Sequence, residues 1–479
     1  MLEFLRRRPF TDLFRSVLGY AVVPNLVLGL IASYFGVGRP LINLDYLGIA
    51  VLAPWLPRWL LRLGLGFAVL LDLLQTVAPT YQFNIGKILE TTQDLFNLSP
   101  AFAVPIAIGV LALSGGLAWL MTRLAPAHRW QTLHGLLLGV AALGADVALS
   151  PNALTGMERA VTQLNVAGSP GLFFLIEARS ALTGAQHVVI SAAPERASQP
   201  IVDALSADAP LPRHLVLVLI ESWGLYTDDQ ANALIYAPLR ALAQQRGDLE
   251  LRTGAVAFLG STVNGELREL CGLRSNSIRL PNPAIPLDGC LPHALSVRGY
   301  ASTAIHGYRG SMFNRNNWYP QAGFARSLFD RELSQVLGRE SRCGATFPGA
   351  CDGDVPKMIG QQLDEAGTSA QFVYWLTLNA HLPIYATDDP RARLDCSISS
   401  ITASDEQQCR LVKLHRLVMQ SLADLMAHRQ DTALIVVGDH APAFVSGQRR
   451  HSLSGTQVPS AVLWPRTAIS APPSNPPPR

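Results

Sequence analysis

Four polar signatures are spread over more than two hundred residues, and each stands where an apolar, strand-like run ends. Glu221 follows HLVLVLI, Thr262 lies in GSTVNGELRELCG, His381 in YWLTLNAHLP, and Asp439-His440 closes ALIVVGDHAP. Two carboxylates, an imidazole and a hydroxyl that meet at one point can hold a divalent cation and activate an oxygen nucleophile. Each has an ordinary alternative: Thr262, between a strand and a helix-like run, suits a helix N-cap. His381 suits a plain loop histidine, and the acidic residues suit strands that end at the surface. A cap and a catalytic role are compatible, because a helix N-terminus offers N–H groups and positive potential to a phosphate. Their shared place in a strand-to-loop frame separates these four from chance, since open α/β sheets bind ligands beyond the carboxyl ends of their strands.

The elements that must position them begin near residue 212. Here HLVLVLI, AVAFLG, ASTAIHG, QFVYWLTLN, TALIVVG and SAVLWP alternate with helical patterns. Several of these runs are continuously apolar, as strands buried on both faces are. The alternation predicts an α/β domain with a mostly parallel sheet over residues 211–465. The proline-rich tail 466–479 predicts disorder, and residues 151–210 form a connector in which GLFFLIEARSAL predicts an amphipathic helix.

Residues 1–150 predict a membrane domain. Five apolar stretches, roughly 16–37, 41–57, 63–82, 101–122 and 131–150, approach the length of a bilayer span. Asp45 and Asp146 interrupt the second and the fifth, which leaves a count of five or four spans. Arg6, Arg7, Arg8 and Arg15 precede the first span, Arg58 and Arg62 follow the second, and Arg123 and Arg129 follow the fourth. Placing all of these in the cytoplasm requires an odd number of spans and leaves the C-terminal domain outside. The loop 83–100 then faces outward.

All six cysteines lie in the C-terminal part. Their grouping predicts the pairs Cys271–Cys290, Cys343–Cys351 and Cys396–Cys409, one of fifteen possible connectivities. Disulfides predict an oxidising compartment, the same side that the arginines indicate. A net charge of +3 offers no electrostatic footprint for nucleic acid.

The order ESW, GST, HGYRGSMFNRNNWY, NAHLP, GDH resembles the extracytoplasmic domain of lipoteichoic acid synthases and related phosphoglycerol transferases. Phosphoethanolamine transferases are more distant relatives, and all belong to the alkaline phosphatase and sulfatase superfamily. The resemblance covers about residues 212–465, and it implies a sulfatase-like α/β/α fold behind five membrane spans in a bacterial inner membrane. It implies that Glu221, Thr262, Asp439 and His440 hold one catalytic cation, with Thr262 as nucleophile and His381 against the phosphate-bearing group. Arg315 matches an arginine that binds the head group, and Phe313 stands where the synthases have tryptophan. His306 opens the same motif, and His451 lies where the phosphoethanolamine transferases place another histidine. The paired cysteines depart from the Gram-positive synthases and suit a periplasmic enzyme.

The chemistry so implied is transfer of phosphoglycerol or phosphoethanolamine from a phospholipid donor, held near the site by the lipid bilayer, to a glycan or glycolipid acceptor. Thr262 would carry the group as a substituted phosphothreonine. The oxygen-rich ligand set favours manganese, with magnesium and zinc as alternatives. Two other classes share the fold: a hydrolase (phosphodiesterase or sulfatase) and a non-catalytic sensor. GSTVNGELR lacks the C/S-x-P-x-R context expected of a sulfatase nucleophile, and a complete ligand set argues against a sensor.

Overall fold

The computed structural model describes residues 11–78, 99–125, 131–149, 166–182, 189–277, 280, 287–338, 340–385, 388–444 and 447–466. The expected outward loop (83–100, except 99–100) and all but the first residue of the proline-rich tail lie outside these. The described residues fall into two compact units. One lies within Met1–Glu90, Pro100–His187 and Phe444–Gln448, the other within Thr91–Ser99, Val188–Ala443 and Arg449–Arg479. The connector is divided between them, its helix Pro170–Leu182 in the first and the helix Gln199–Ser206 in the second.

In the second unit seven strands form one sheet: β1 (His214–Ile220), β2 (Leu249–Ala257), β3 (Ala301–His306), β4 (Arg326–Leu328), β5 (Gln371–Leu376), β6 (Thr432–Gly438) and β7 (Gln457–Pro465). The order is β2-β7-β6-β1-β5-β3-β4. Only β7 runs against its neighbours; every other pairing is parallel. Every residue of β1, β5 and β6 is buried, which is why their sequences are apolar without alternation. The six expected strands are all present. The three-residue edge strand β4 is too short to give a period-2 pattern.

Register then does the positioning. Ile220 pairs with Gly438, and Leu219 with Leu376. Glu221 and Asp439 therefore leave the sheet side by side, with Thr377 one position back accepting from Glu221 N–H at 2.9 Å, and the ladder continues one step through Asp439 N–H to Ile220 O at 3.1 Å.

A helix from Thr262 to Cys271 carries the GST signature. Ser261 is its N-cap and Thr262 its first helical residue, one position further in than the expected cap. Gly265 on this helix packs tightly against Asp439: a Cβ would lie 3.0 Å from Asp439 Cα, so any side chain would press on that backbone. The first turns are thereby pressed onto the end of β6. Arg268 secures the seat, donating to Ala257 O (2.8 Å) and Gly438 O (2.7 Å) while paired with Glu269 at 2.7 Å. Both charges are wholly buried, and Glu269 accepts from Ser198 N–H at 2.9 Å. The three disulfides pair as expected: Cys271–Cys290, Cys343–Cys351 and Cys396–Cys409.

The first unit contains α1 (Thr11–Phe35), α2 (Leu44–Leu52), α3 (Arg58–Val77), α4 (Pro100–Leu124), α5 (Gln131–Leu149) and α6 (Pro170–Leu182). Four helices among the described residues are long and apolar enough to cross a membrane, not five. The second expected span is the nine-residue α2, about 14 Å at 1.5 Å per residue, half the hydrocarbon thickness. Asp45 and Asp146 explain the shortfall in apolar character, because both hold the segment that enters α6. Asp146 Oδ1 accepts from Val166 and Ala167 N–H (2.9 and 3.1 Å), and Asp45 from Gly171 N–H (2.7 Å) and Ser169. Arg15 of α1 and Arg62 of α3 both reach the C-terminal turn of α4, at Leu124 O (3.0 Å) and Thr122 Oγ1 (3.1 Å). Both helices thus start at one arginine-bearing end, and the chain through α2 returns between them.

Arg268→Met leaves Glu269 buried without its cation. Unfolding of the full-length protein is expected to show a loss of about 3–5 kcal/mol, and unchanged stability would refute the clamp.

Candidate metal centre

Helices of the second unit include α7 (Asp229–Gln245), α8 (Thr262–Cys271), α9 (Arg315–Gln321), α10 (Val355–Glu365) and α11 (Glu406–Met426). At the carboxyl end of the sheet, Glu221, Asp439 and His440 bring one ligand atom each within 4.8 Å of one another. His440 Nε2 lies 3.4 Å from Glu221 Oε1 and 3.3 Å from Asp439 Oδ2. His440 Nδ1 meets Ala441 O at 2.9 Å. A carbonyl only accepts, so Nδ1 carries a hydrogen and Nε2 is the ring nitrogen that faces the carboxylates.

Each carboxylate has one oxygen engaged by neighbouring donors. Asp439 Oδ1 accepts from Ser222 N–H (2.8 Å) and His440 N–H (2.5 Å), and Glu221 Oε1 from Ser222 Oγ–H (2.7 Å). Ser222 does this from a left-handed conformation, φ 54°, which costs a residue with a Cβ free energy. Asp439 Oδ2 is buried with no hydrogen-bond donor. A carboxylate oxygen without a donor, facing an imidazole nitrogen that coordinates once deprotonated, is what a cation satisfies, so the donor set fits the expected metal.

His381 joins this group. Its Nδ1 donates to Leu378 O (2.9 Å) and its Nε2 stands 3.5 Å from Glu221 Oε1, the oxygen that faces His440. Phe347 packs edge-on against its ring, centroids 4.5 Å apart. Thr262 is buried at the start of the helix pressed onto Asp439.

The HGYRGSMFNRNNWY motif makes a second buried group. Arg315 is 1% exposed and forks onto Glu266, Nη2 to Oε2 at 2.9 Å and Nε to Oε2 at 3.1 Å. Its Nη1 faces His306 Nε2 at 3.5 Å, while His306 Nδ1 donates to Leu376 O at 3.2 Å. The Phe313 ring lies 5.2 Å from the guanidinium carbon. His451 ends a short helix, Gly447–His451, with its side chain exposed.

Sequence reasoning passed over four supporting residues. Asp352, next to Cys351, accepts from Leu378 and Asn379 N–H (3.0 and 2.7 Å) and so fixes the loop that carries His381. His415, on the apolar face of α11, meets Glu221 O at 3.2 Å. Glu266 and Ser222 were legible only as neighbours of Thr262 and Glu221.

Burial dominates the electrostatics. It raises Asp439 to about 7, aided by Glu221, and raises Asp352 to about 7. It lowers His381 to about 4 and pushes His306 well below its ordinary value, Arg315 adding to the second effect. For His440 burial works against the charge, yet Asp439 and Glu221 prevail and raise it.

The sign of the pH dependence follows for Asp439. Its folded pKa exceeds the ordinary carboxylate value, so metal-free stability from this group is full below about pH 4 and declines up to about pH 7. Cation binding requires the ionised form. The rise in melting temperature on adding Mn2+ is therefore expected to grow between about pH 5 and pH 8 and to vanish in Asp439→Asn. A Mn2+ effect independent of pH and of Asp439 would contradict this.

Residues 261–473 match the family model described as Sulfatase. No curated protein matches the chain. Solved structures similar to it include the lipoteichoic acid synthase LtaP from Listeria monocytogenes, at 14% identity and a TM-score of 0.40. That match covers 52% of this chain and 65% of that one, so the chain spans a little under two thirds of the synthase structure. The zinc-bound C-terminal periplasmic domain of EptC from Escherichia coli is similar at 15% identity and TM-score 0.36, covering 56% and 77%. The phosphoglycerol transferase GacH from Streptococcus pyogenes, in complex with sn-glycerol-1-phosphate, is similar at 15% identity and TM-score 0.35, covering 55% and 72%. The chain thus carries, after four apolar helices among the described residues, a sulfatase-like α/β domain with a mostly parallel central sheet.

Proposed function

We propose that this protein is a membrane-anchored, metal-dependent transferase that moves a phosphoglycerol or phosphoethanolamine group from a phospholipid to an extracytoplasmic glycan or glycolipid. The observation that carries the proposal is the orphaned Asp439 Oδ2, buried beside Glu221 and His440, with the helix that begins at Thr262 seated on its backbone. Glu221, Asp439, His440 and the Thr262 hydroxyl would hold the cation, manganese preferred for this oxygen-rich set, with magnesium or zinc possible. When bound, the cation supplies positive charge that lowers the hydroxyl pKa and offsets phosphate charge.

Thr262 Oγ attacks the phosphodiester phosphorus, its bond to phosphorus forms, and the bond to the diacylglycerol oxygen breaks. His381 is neutral at physiological pH, with its hydrogen on Nδ1, so Nε2 acts first as proton acceptor. It takes the hydroxyl proton and returns it to the departing oxygen. Arg315, charged at every working pH, balances the phosphate's charge, with Phe313 over its face and His306 beside it. His451 is assigned to the outer part of the head-group site. In the second half-reaction an acceptor hydroxyl attacks the phosphothreonine and restores Thr262.

Placement outside the cytoplasm is supported by the three disulfides and by the arginines gathered at one end of the membrane unit.

Incubation of full-length protein with phosphatidylglycerol or phosphatidylethanolamine and Mn2+ is expected to add the head-group phosphate mass to the peptide containing Thr262. Thr262→Ala should keep most of the Mn2+ melting shift, since Glu221, Asp439 and His440 remain, and form no adduct; an adduct in that variant excludes Thr262 as nucleophile. His381→Gln should slow adduct formation about 10²–10⁴-fold with the Mn2+ shift retained. A wild-type rate in His381→Gln removes the proton-transfer role.

A further inference from the structure

Glu266 stands one helical turn after Thr262, on the same face of α8. Its wholly buried carboxylate is shared by donors from two other elements. Arg315 of α9 contributes its side-on edge, Nε and Nη2; Tyr319 of α9 and Tyr374 of β5 contribute their hydroxyls, Tyr374 at 3.2 Å. Arg315 Nη1 uses one hydrogen towards His306 Nε2. Of the five guanidinium N–H groups, one on Nη1 and one on Nη2 have no hydrogen-bond partner among the described residues. An Nη1/Nη2 pair can grip two oxygens of one phosphate.

The backbone before Arg315 is set with similar care. Phe313 and Asn314 are consecutive left-handed residues, φ 53° and 62°, neither a glycine, and Asn314 Nδ2 donates to Leu280 O at 2.8 Å. Such conformations persist where surrounding contacts overdetermine them. Here they bring the Phe313 ring over the guanidinium.

We infer that Glu266, with Tyr319 and Tyr374, is a positioning group that locks Arg315 to the nucleophile helix, so that the phosphate-facing edge and Thr262 move as one body. This rests on the function proposed above. A free arginine would adjust to any anion; one held by its side-on edge accepts a phosphate in one orientation relative to Thr262.

The test uses the full-length Mn2+-loaded protein and the variant Tyr319→Phe/Tyr374→Phe, which keeps both rings and removes both hydroxyls from Glu266. The readouts are the melting temperature, the rate of head-group adduct formation on Thr262, and calorimetric binding of inorganic phosphate. An unchanged Mn2+ melting shift is expected, with adduct formation slowed and phosphate binding weakened about 10-fold each. Glu266→Gln should exceed both losses, and Glu266→Asp should recover part of them. Where the double variant is unstable, Tyr374→Phe alone is measured the same way. Wild-type phosphate affinity in the folded variants overturns the inference, as does a loss of stability with phosphate affinity kept. If the wild-type protein forms no adduct, the proposed transfer fails, and the phosphate arm alone still decides the positioning role.

Discussion

Two carboxylates at adjacent strand ends, both withdrawn from water, are the constraint on which the site depends. Register makes the juxtaposition unavoidable: Ile220 pairs with Gly438, so the next residues, Glu221 and Asp439, emerge together. Like charges so close and so buried oppose ionisation, and Asp439 responds with a strongly raised pKa. Ser222 and the His440 N–H relieve part of the cost. One oxygen is left over, and a divalent cation is the partner whose charge matches the deficit. The same pull raises His440, so proton and cation compete for one nitrogen.

Helix α8 turns that pair into a reaction site. Its first residue offers the hydroxyl, its fourth is a glycine that lets the helix press close to Asp439, and its fifth holds Arg315. Its seventh, Arg268, ties the helix to the ends of β2 and β6. Four functions at fixed helical spacing make the nucleophile, the metal ligands and the phosphate-facing arginine parts of one rigid assembly. Precision comes from buried ionic contacts, which are costly to break once one partner is removed.

Much of this was legible in the sequence. Continuous apolar runs identified the strands, since both faces of β1, β5 and β6 are covered, and the polar residue ending each run marked the sheet's functional edge. Near-neighbour spacing identified all three disulfides. The membrane count was less legible: residues 41–57 are apolar enough to look like a span, yet Asn43 and Asp45 bind Asp72 and the segment before α6, leaving a nine-residue helix. Arg315 looked like a ligand-binding arginine and proved also to be half of a buried pair, because Glu266 carries no sequence mark beyond its place four residues after Thr262. Asp352 and His415 act on the backbone of other segments, and tertiary contacts of that kind leave no local pattern.

The buried acids of the two units obey one rule and reach different ends. Asp72 takes Arg39 through Nε at 2.9 Å, Asn43 at 2.9 Å and Tyr46 at 2.7 Å, and Asp146 takes two backbone N–H groups. Every such contact is internal, and these acids hold segments together. Asp439 is buried as deeply, with one oxygen equally satisfied and the other without a hydrogen-bond partner, facing the His440 ring. A protein that needed only a structural acid there had the simple remedy of one more donor, as at Asp72. The unmet oxygen therefore separates a site that binds from a site that braces, and it does so by hydrogen-bond accounting on the chain's own residues.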